Sequence, residues 1–285
     1  MLRGRMQTST SFVPATEAPS RRAGEIKIYD PATAFPGMRA AGQLAARCLD
    51  MLAAETKEGV TTARLDDLAR SFVLDHGALP ACVFYRGYRH TICTSLNHVV
   101  CHGIPGPRVL RSGDILNIDV TVIVDGWHGD TSRMYSVGDV PRKAERLMDV
   151  TYEAMMRGIA AIKPGATLGD LGHAIQSYAE SERCAVVREF CGHGVGRIFH
   201  DEPNILHYGK PGQGETLRPG MIFTVEPMLN LGAPPVKILG DGWTAVTKDK
   251  SLSAQFEHSV GVTESGAEIF TASPAGLDKP HAQGR

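Results

Sequence analysis

The sequence repeats itself at a nearly constant offset, and this repeat constrains the fold more than any other feature. Segments 59–65 and 165–171 share Gly, Thr and Leu at matching positions, an offset of 106. Segments 111–119 and 218–226 match at an offset of 107, and the tripeptide Asp-Gly-Trp occurs at both 125–127 and 241–243. Three matches in the same order predict two similar halves, about 37–150 and 151–272, within one domain.

Each half has the pattern helix, turn, helix, strands. Apolar residues three and four positions apart predict amphipathic helices at 41–57 and 144–163, and shorter helices after Leu65 and Leu171. The β-branched, apolar segments 114–124 and 221–231 predict strands. We therefore expect an α+β fold in which helix pairs cover antiparallel sheet in two pseudo-symmetric halves.

Both ends of the chain differ from this pattern. Residues 1–36 are rich in Ser, Thr, Pro and Arg and have no apolar period, so we predict a mobile N-terminal extension. An organelle transit peptide or a docking arm is the alternative, because the first 16 residues contain no acid. Residues 273–285 are predicted to be a disordered C-terminal tail.

Charge and cysteine content exclude several classes of protein. The net charge of -1 gives no reason to expect nucleic-acid or membrane partners, and no run of 18 apolar residues is present. Six cysteines occur without a CxxC pair, which favours reduced thiols and a cytoplasmic location.

Two aspartates are predicted to share one face of a hairpin. Asp125-Gly126 is a strong two-residue turn sequence that would place Val124 opposite Trp127. This register pairs Asp119 with Ser132, and Asp130 with Thr121. Since side chains alternate between faces, Asp119 and Asp130 would be diagonal neighbours within reach of one small ligand.

Three further residues extend this acidic set. In the second copy, Glu226 occupies the position equivalent to Asp119, and Glu257 lies in another β-type segment. The next residue, His258, would point to the opposite face from Glu257, so we expect it to be packed away from the ligand. His193 lies in FCGHGVG, residues 190–196, where glycines are expected to clear space around a bound group.

The candidate ligand set contains four carboxylates and one imidazole, namely Asp119, Asp130, His193, Glu226 and Glu257. These are too many ligands for one catalytic zinc ion. They suit two divalent ions about 3.5–4 Å apart. Hard oxygen ligands with a single nitrogen favour Mn, Fe(II), Co or Zn over Cu(I).

The five residues, the duplication and the segment FCGHGVGRIFHDEPNILHY, residues 190–208, resemble the type I methionine aminopeptidases of peptidase family M24. The resemblance covers about residues 37 to 270. Glu226 follows His200 by only 26 positions, which leaves no room for the helical insertion of the type II class. The resemblance implies a catalytic domain at 37–272 with the pita-bread fold, whose two α/β halves surround a central dimetal site.

The resemblance also implies an activity and roles for particular residues. The expected reaction is removal of the N-terminal methionine from nascent proteins and peptides, by attack of a metal-bridging hydroxide on the first peptide bond. Glu226 would be both a ligand and the proton acceptor, and His102 and His200 would contact the substrate. The methionine pocket would be lined by Tyr85, Tyr88, Cys93, Phe199 and Trp243, together with Cys82. Asn97, Val99 and Ser253 match a monovalent-cation site.

Expected partners are peptides and nascent chains, with transient ribosome association, no specific nucleic acid and a monomeric state. One alternative is an Xaa-Pro aminopeptidase or prolidase of the same fold, although such enzymes usually carry a large additional N-terminal domain. Another is a non-catalytic pita-bread protein that binds peptides or ribosomes, although such proteins lose metal ligands.

Three local features bear on these expectations. Arg86 stands where some relatives have histidine, which leaves substrate preference at the pocket edge open. A phosphate loop at 190–196 is disfavoured because the GxxxxGK[ST] pattern is absent. A thiol dyad of Cys101 and His102 is disfavoured because neighbours on extended backbone point apart.

Overall fold

The computed structural model describes residues 26–279. Its helices are α1 (Pro31–Glu55), α2 (Thr62–Asp75), α3 (Arg142–Ala160) and α4 (Leu168–Ser181). Its strands are β1 (Leu79–Pro80), β2 (Ile92–Leu96), β3 (Val99–Cys101), β4 (Ile115–Val124), β5 (Trp127–Ser136), β6 (Ala185–Val186), β7 (Gly192–Gly194), β8 (Asp201–Ile205), β9 (Ile222–Val225), β10 (Met228–Asn230), β11 (Val236–Ile238), β12 (Ala245–Thr247), β13 (Ser253–Gln255), β14 (His258–Val262) and β15 (Ala267–Ile269).

The second helix of each half begins at a threonine N-cap. The Thr61 hydroxyl accepts a hydrogen bond from Arg64 N, and the Thr167 hydroxyl accepts one from Asp170 N. These bonds satisfy backbone donors that have no partner inside the helix. Asp170 also accepts from Thr167 N, which completes a capping box.

Equivalent backbone contacts occur within each half, and their residues are related by the offset seen in the sequence. Gly59 N donates to Leu110 O at 3.0 Å, and Gly165 N donates to Leu217 O at 3.0 Å. Isolated bridges join Thr61 to Val109 and Thr167 to Thr216. The same residue types therefore build the same connection twice, and the predicted pair of pseudo-symmetric α/β halves is confirmed.

All strand pairs in the described part of the chain are antiparallel, as predicted. In the first half, β4 is central and pairs with β1, β2 and β5. In the second half, a five-stranded sheet has the order β15-β14-β9-β7-β8. Two smaller sheets have the orders β13-β10-β6 and β11-β12-β3. The strand β12 pairs with β3, so this small sheet joins the two halves.

Each half has its own apolar core. Leu49 and Leu52 of α1 pack with Leu65 of α2 and the inward side chains of β4, whereas α3 and α4 pack against the five-stranded sheet. Each buried aliphatic side chain contributes roughly 1.5–3 kcal/mol. None of the helices within residues 26–279 is long and apolar enough to cross a membrane.

The structure differs from the predicted boundaries at both ends of the domain. Helix α1 begins at Pro31, so residues 31–36 belong to the folded body although the prediction assigned them to the N-terminal extension. Pro36 lies inside the helix. The first turns of α1 were not predicted from the sequence, because proline usually ends a helical pattern. Residues 1–25, the rest of the predicted extension, lie outside the described residues.

The predicted C-terminal tail also begins too early. Ser273 N donates to Asp278 Oδ1 at 2.7 Å, and the buried Arg133 side chain donates to Leu277 O at 3.3 Å. These hydrogen bonds hold residues 273–279 in place. Because the segment has no apolar pattern, its sequence alone does not indicate that it is ordered. Residues 280–285 lie outside the described range.

Candidate metal centre

The β4–β5 hairpin brings two aspartates to one face. Val124 pairs with Trp127, Asp119 with Ser132 and Thr121 with Asp130, which confirms the predicted register. Asp125 and Gly126 have φ angles of 48° and 77°, the left-handed values that a tight two-residue turn needs.

The two hairpin aspartates differ in their partners. Thr121 Oγ1 donates to Asp130 Oδ1 at 2.6 Å, which fixes that carboxylate. Asp119 Oδ1 is buried and has no hydrogen-bond partner among the described residues. A buried carboxylate oxygen without a donor is costly, so Asp119 fits a cation ligand.

His193 reaches the same place from β7. Contrary to the prediction, its flanking glycines do not clear space for a bound group. A Cβ on Gly192 would lie 2.5 Å from Thr224 O, and one on Gly194 would clash with Glu202 O. The glycines instead let neighbouring backbone approach β7 on both sides.

Hydrogen bonds orient the His193 ring. Its Nδ1 lies 3.0 Å from Gly194 O and donates to it, because a carbonyl oxygen can only accept. Its Nε2 then faces the carboxylates, 3.5 Å from Asp130 Oδ2 and 3.6 Å from Glu226 Oε1. This is the tautomer in which Nε2 can bind a metal.

Glu226 follows β9 rather than lying inside a strand. The predicted strand 221–231 is broken there because Pro227 has no N–H and cannot continue the ladder. Glu226 N donates instead to His207 Nε2 at 3.0 Å. Its carboxylate accepts from Thr224 Oγ1 at 2.7 Å and from Gln255 Nε2 at 3.3 Å.

Glu257 joins the second half of the chain to the hairpin. Its backbone forms an isolated bridge with Ser132, and its carbonyl accepts from Thr131 Oγ1 at 2.7 Å. The neighbouring His258 ring lies 2.9 Å from Thr271 Oγ1 and does not line the cavity that contains Glu257. The predicted orientation of His258 is therefore confirmed.

Burial dominates the electrostatics of the centre. It raises the pKa of Asp119 to about 7 and raises the pKa values of Asp130, Glu226 and Glu257 well above their usual range. Repulsion among the carboxylates adds to the last three shifts. Burial lowers the pKa of His193 to about 4, which favours the neutral imidazole that binds metals.

The residues present fit divalent metal ions. Asp130, His193 and Glu257 each offer a ligand atom, and these atoms lie within 4.8 Å of one another. Asp119 and Glu226 line the same cavity. Clustered buried carboxylates repel each other unless a proton or cation lies between them.

A cavity of about 350 Å³ opens from this acidic floor, a size typical of small-ligand sites. Rings pack against one another around it: Tyr88 contacts Trp243 with centroids 5.0 Å apart, and Tyr85 stacks on His200 at 4.9 Å. Every residue predicted to contact substrate lines the cavity, namely Tyr85, Tyr88, Cys93, His102, Phe199, His200 and Trp243, as does Cys82.

Cys101 and His102 both line the cavity, so the predicted alternation does not by itself separate them. His102 has a φ of 56°, and the alternation of an extended strand does not apply to it. Burial raises the pKa of the Cys101 thiol well above its usual range, which makes the thiol a poor nucleophile and still disfavours a thiol dyad.

The three residues matched to a monovalent-cation site lie close together in the fold. Ser253 N donates to Asn97 O at 2.9 Å, and Val99 begins the adjacent strand β3. Ser253 Oγ is buried without a hydrogen-bond partner among the residues that the structure describes.

Sequence reasoning missed the residues that hold the ligands in place. They are Thr121, Thr224, Gln255 and His207, each of which contacts a predicted ligand. His207 lies inside the segment 190–208, but no spacing rule links it to Glu226. The pair meets only because β8 and β9 lie in one sheet.

Comparison with known proteins places these observations in a family. Residues 36–264 match the model of metallopeptidase family M24. The chain is 59% identical over 247 residues to a methionine aminopeptidase of Rickettsia prowazekii, covering 86% of this chain and 95% of the relative. It is 49% identical over 236 residues to a methionine aminopeptidase of Escherichia coli, covering 82% and 89%.

Solved structures support the same family assignment. The crystal structure of the Rickettsia prowazekii methionine aminopeptidase superposes with a TM-score of 0.85 at 58% identity, covering 87% of this chain and 100% of that one. An X-Pro aminopeptidase of Thermotoga maritima superposes with a TM-score of 0.67 at 19% identity, covering 87% and 63%, which shows a shared fold alone. The Xaa-Pro alternative is therefore not favoured.

Proposed function

Because the chain belongs to metallopeptidase family M24, we propose that its central cavity removes the N-terminal methionine from peptides and proteins. The protein acts as a methionine aminopeptidase and has the pita-bread fold. The observation that carries this function is the cavity itself, which combines an acidic metal-binding floor with an aromatic pocket of small-ligand size.

Five residues would hold two divalent ions: Asp119, Asp130, His193, Glu226 and Glu257. Co, Mn, Fe(II) or Zn suits this donor set. When bound, such ions polarise a carbonyl and lower the pKa of bound water. The unpartnered Asp119 Oδ1 and the His193 Nε2 that faces two carboxylates support this assignment. A monovalent cation would bind beside Asn97, Val99 and Ser253.

Glu226 would accept the proton of the attacking water. Its carboxylate is fixed by Thr224 and Gln255, and its backbone by His207, so its orientation is set before substrate binds. Preorganisation of this kind lowers the cost of reaching the transition state.

His200 and His102 would contact the peptide. Burial lowers the pKa of His200 to about 2 and also lowers the pKa of His102, so both rings are neutral at pH 7. A neutral imidazole can donate a hydrogen bond to the peptide carbonyl without adding charge beside the metal ligands.

The pocket would select methionine by its apolar, polarisable side chain. Aromatic rings and thiols surround the space, and sulfur makes favourable contacts with aromatic rings. The free N-terminal amine of the peptide would bind beside this metal-holding floor, which limits removal to the first residue. Ribosome association, a monomeric state and a cytoplasmic location stay predictions of the sequence.

The test is methionine release from two peptides, Met-Ala-Ser and Ala-Pro-Met, after Co or Mn is added to metal-stripped protein. We expect free methionine from the first peptide and no product from the second. Cleavage only before proline would overturn the methionine pocket. No cleavage of either peptide by metal-loaded protein would overturn the enzymatic function.

A further inference from the structure

Arg86 is the only Lys or Arg side chain among the described residues that line the cavity. It lies in the short 3₁₀ turn Tyr85–Gly87 and is exposed, whereas the metal-binding floor is buried. Its guanidinium carbon lies 5.3 Å from the centroid of the Tyr85 ring, a cation–π distance. Arg86 therefore stands at the mouth of the cavity, beside a ring of the methionine pocket.

The Arg86 guanidinium has no carboxylate partner in the part of the chain that the structure describes. Within residues 26–279, no Asp or Glu oxygen lies within 4.0 Å of it. Glu189, an acid that also lines the cavity, uses its carboxylate oxygens to accept from Val236 N and Arg188 N. The positive charge at the mouth is thus available to a ligand.

From these observations we infer that Arg86 selects peptides with an acidic side chain shortly after the N-terminal methionine. The inference rests on the proposed function, because that function places methionine at the buried floor. An extended peptide advances at most about 3.3–3.6 Å per residue, so the residues after methionine must leave through the mouth. An Asp or Glu there would meet the unpaired guanidinium.

The opposite charges of Arg86 and Glu189 limit the preference for an acidic substrate residue. The negative charge of Glu189 repels an acidic substrate residue. Two backbone N–H groups donate to the Glu189 carboxylate and so partly offset that repulsion. An exposed ion pair of this kind changes a ratio of rate constants about 2- to 5-fold. The preference should weaken at high salt, which screens exposed charges.

The experiment compares kcat/KM for amidated peptides that differ only by Asp or Asn at the first, second or third residue after a free N-terminal methionine. The wild-type protein should prefer Asp about 2- to 5-fold at one position at low salt. The variant Arg86→Gln should lower that ratio to about one or below, because the repulsion by Glu189 then acts alone, and Arg86→Lys should largely keep it. Glu189→Gln should increase it.

Arg89 provides a matched control. It is exposed on the same loop and lies over the Phe84 ring at 5.2 Å, but it does not line the cavity. Arg89→Gln should leave the Asp/Asn ratio unchanged. Equal ratios in the wild type and Arg86→Gln, or an equal loss in Arg89→Gln, would overturn the role of Arg86. Methionine release from Met-Ala-Ser in the same assay shows that such a failure concerns Arg86 alone, whereas no release from any peptide would reject the proposed function.

Discussion

Replacement of His207 tests whether the backbone of Glu226 must be held for turnover. Glu226 N donates to His207 Nε2 at 3.0 Å, and His207 is 1% exposed. Leucine at 207 would remove the acceptor at similar volume and leave a buried N–H unpaired, which costs about 1–3 kcal/mol. If that cost falls on the transition state, kcat falls about 5- to 150-fold.

Glutamine is the matched replacement, because its Oε1 can occupy the place of His207 Nε2 and accept the same bond. We expect His207→Gln to keep kcat within about threefold of the wild type, and His207→Leu to lower kcat with little change in KM. The assay is steady-state methionine release from Met-Ala-Ser, with bound metal measured on the same samples.

Two results would refute this reasoning. One is a His207→Leu protein with wild-type kcat and full metal content, which would show that the hydrogen bond does not matter for turnover. The other is an equal loss of kcat in the Gln and Leu variants, which would mean that ring packing rather than the accepted bond is required.

Other changes test the centre and its support. Asp119→Asn should lose metal binding and nearly all turnover, so a metal-loaded, fully active variant would reject the assigned ligands. His200→Ala should lower kcat about 10²- to 10³-fold while bound metal, measured in parallel, changes little. Gly194→Ala should lower the melting temperature, because its Cβ would clash with Glu202 O, and unchanged melting would contradict that contact. The Asp119 pKa of about 7 lies above its unfolded value, so the folded metal-free protein binds more protons and loses stability as pH rises from about 4 to about 7. Calorimetry should therefore show that added Mn stabilises the protein more at a pH of about 7.5 than at about 5, and equal stabilisation would contradict this.

Local rules predicted the parts of the site that lie on one hairpin. The Asp125-Gly126 turn sets the pairing of Asp119 with Ser132, so the turn sequence and the two-residue alternation were enough to place both aspartates on one face. The repeat predicted Glu226, and a β-type segment and the glycine-rich segment 190–196 predicted Glu257 and His193. All five predicted ligands line the cavity.

Contacts between distant strands could not be predicted in this way. The second Asp-Gly-Trp illustrates the limit: Asp241 Oδ1 accepts from Trp243 N and Thr244 N, whereas Asp125 forms a left-handed two-residue turn. The same tripeptide thus forms two different turns, because the strands around each one differ. The roles of the glycines beside His193 also depended on strand neighbours that local patterns do not reveal.

The metal centre is formed by residues from both halves of the chain, so the hydrogen bonds that hold these residues together are needed to form it. Asp119 and Asp130 come from the first half, while His193, Glu226 and Glu257 come from the second. The Ser132–Glu257 bridge fixes the two sets relative to each other through backbone hydrogen bonds of 3.0 and 3.4 Å. His193 N donates to Thr224 Oγ1, which donates to Glu226, so one hydroxyl orients two of the proposed ligands of the second half. Because the carboxylates repel one another, these hydrogen bonds must hold them together before a cation binds. A bound cation in turn stabilises the folded arrangement of the two halves.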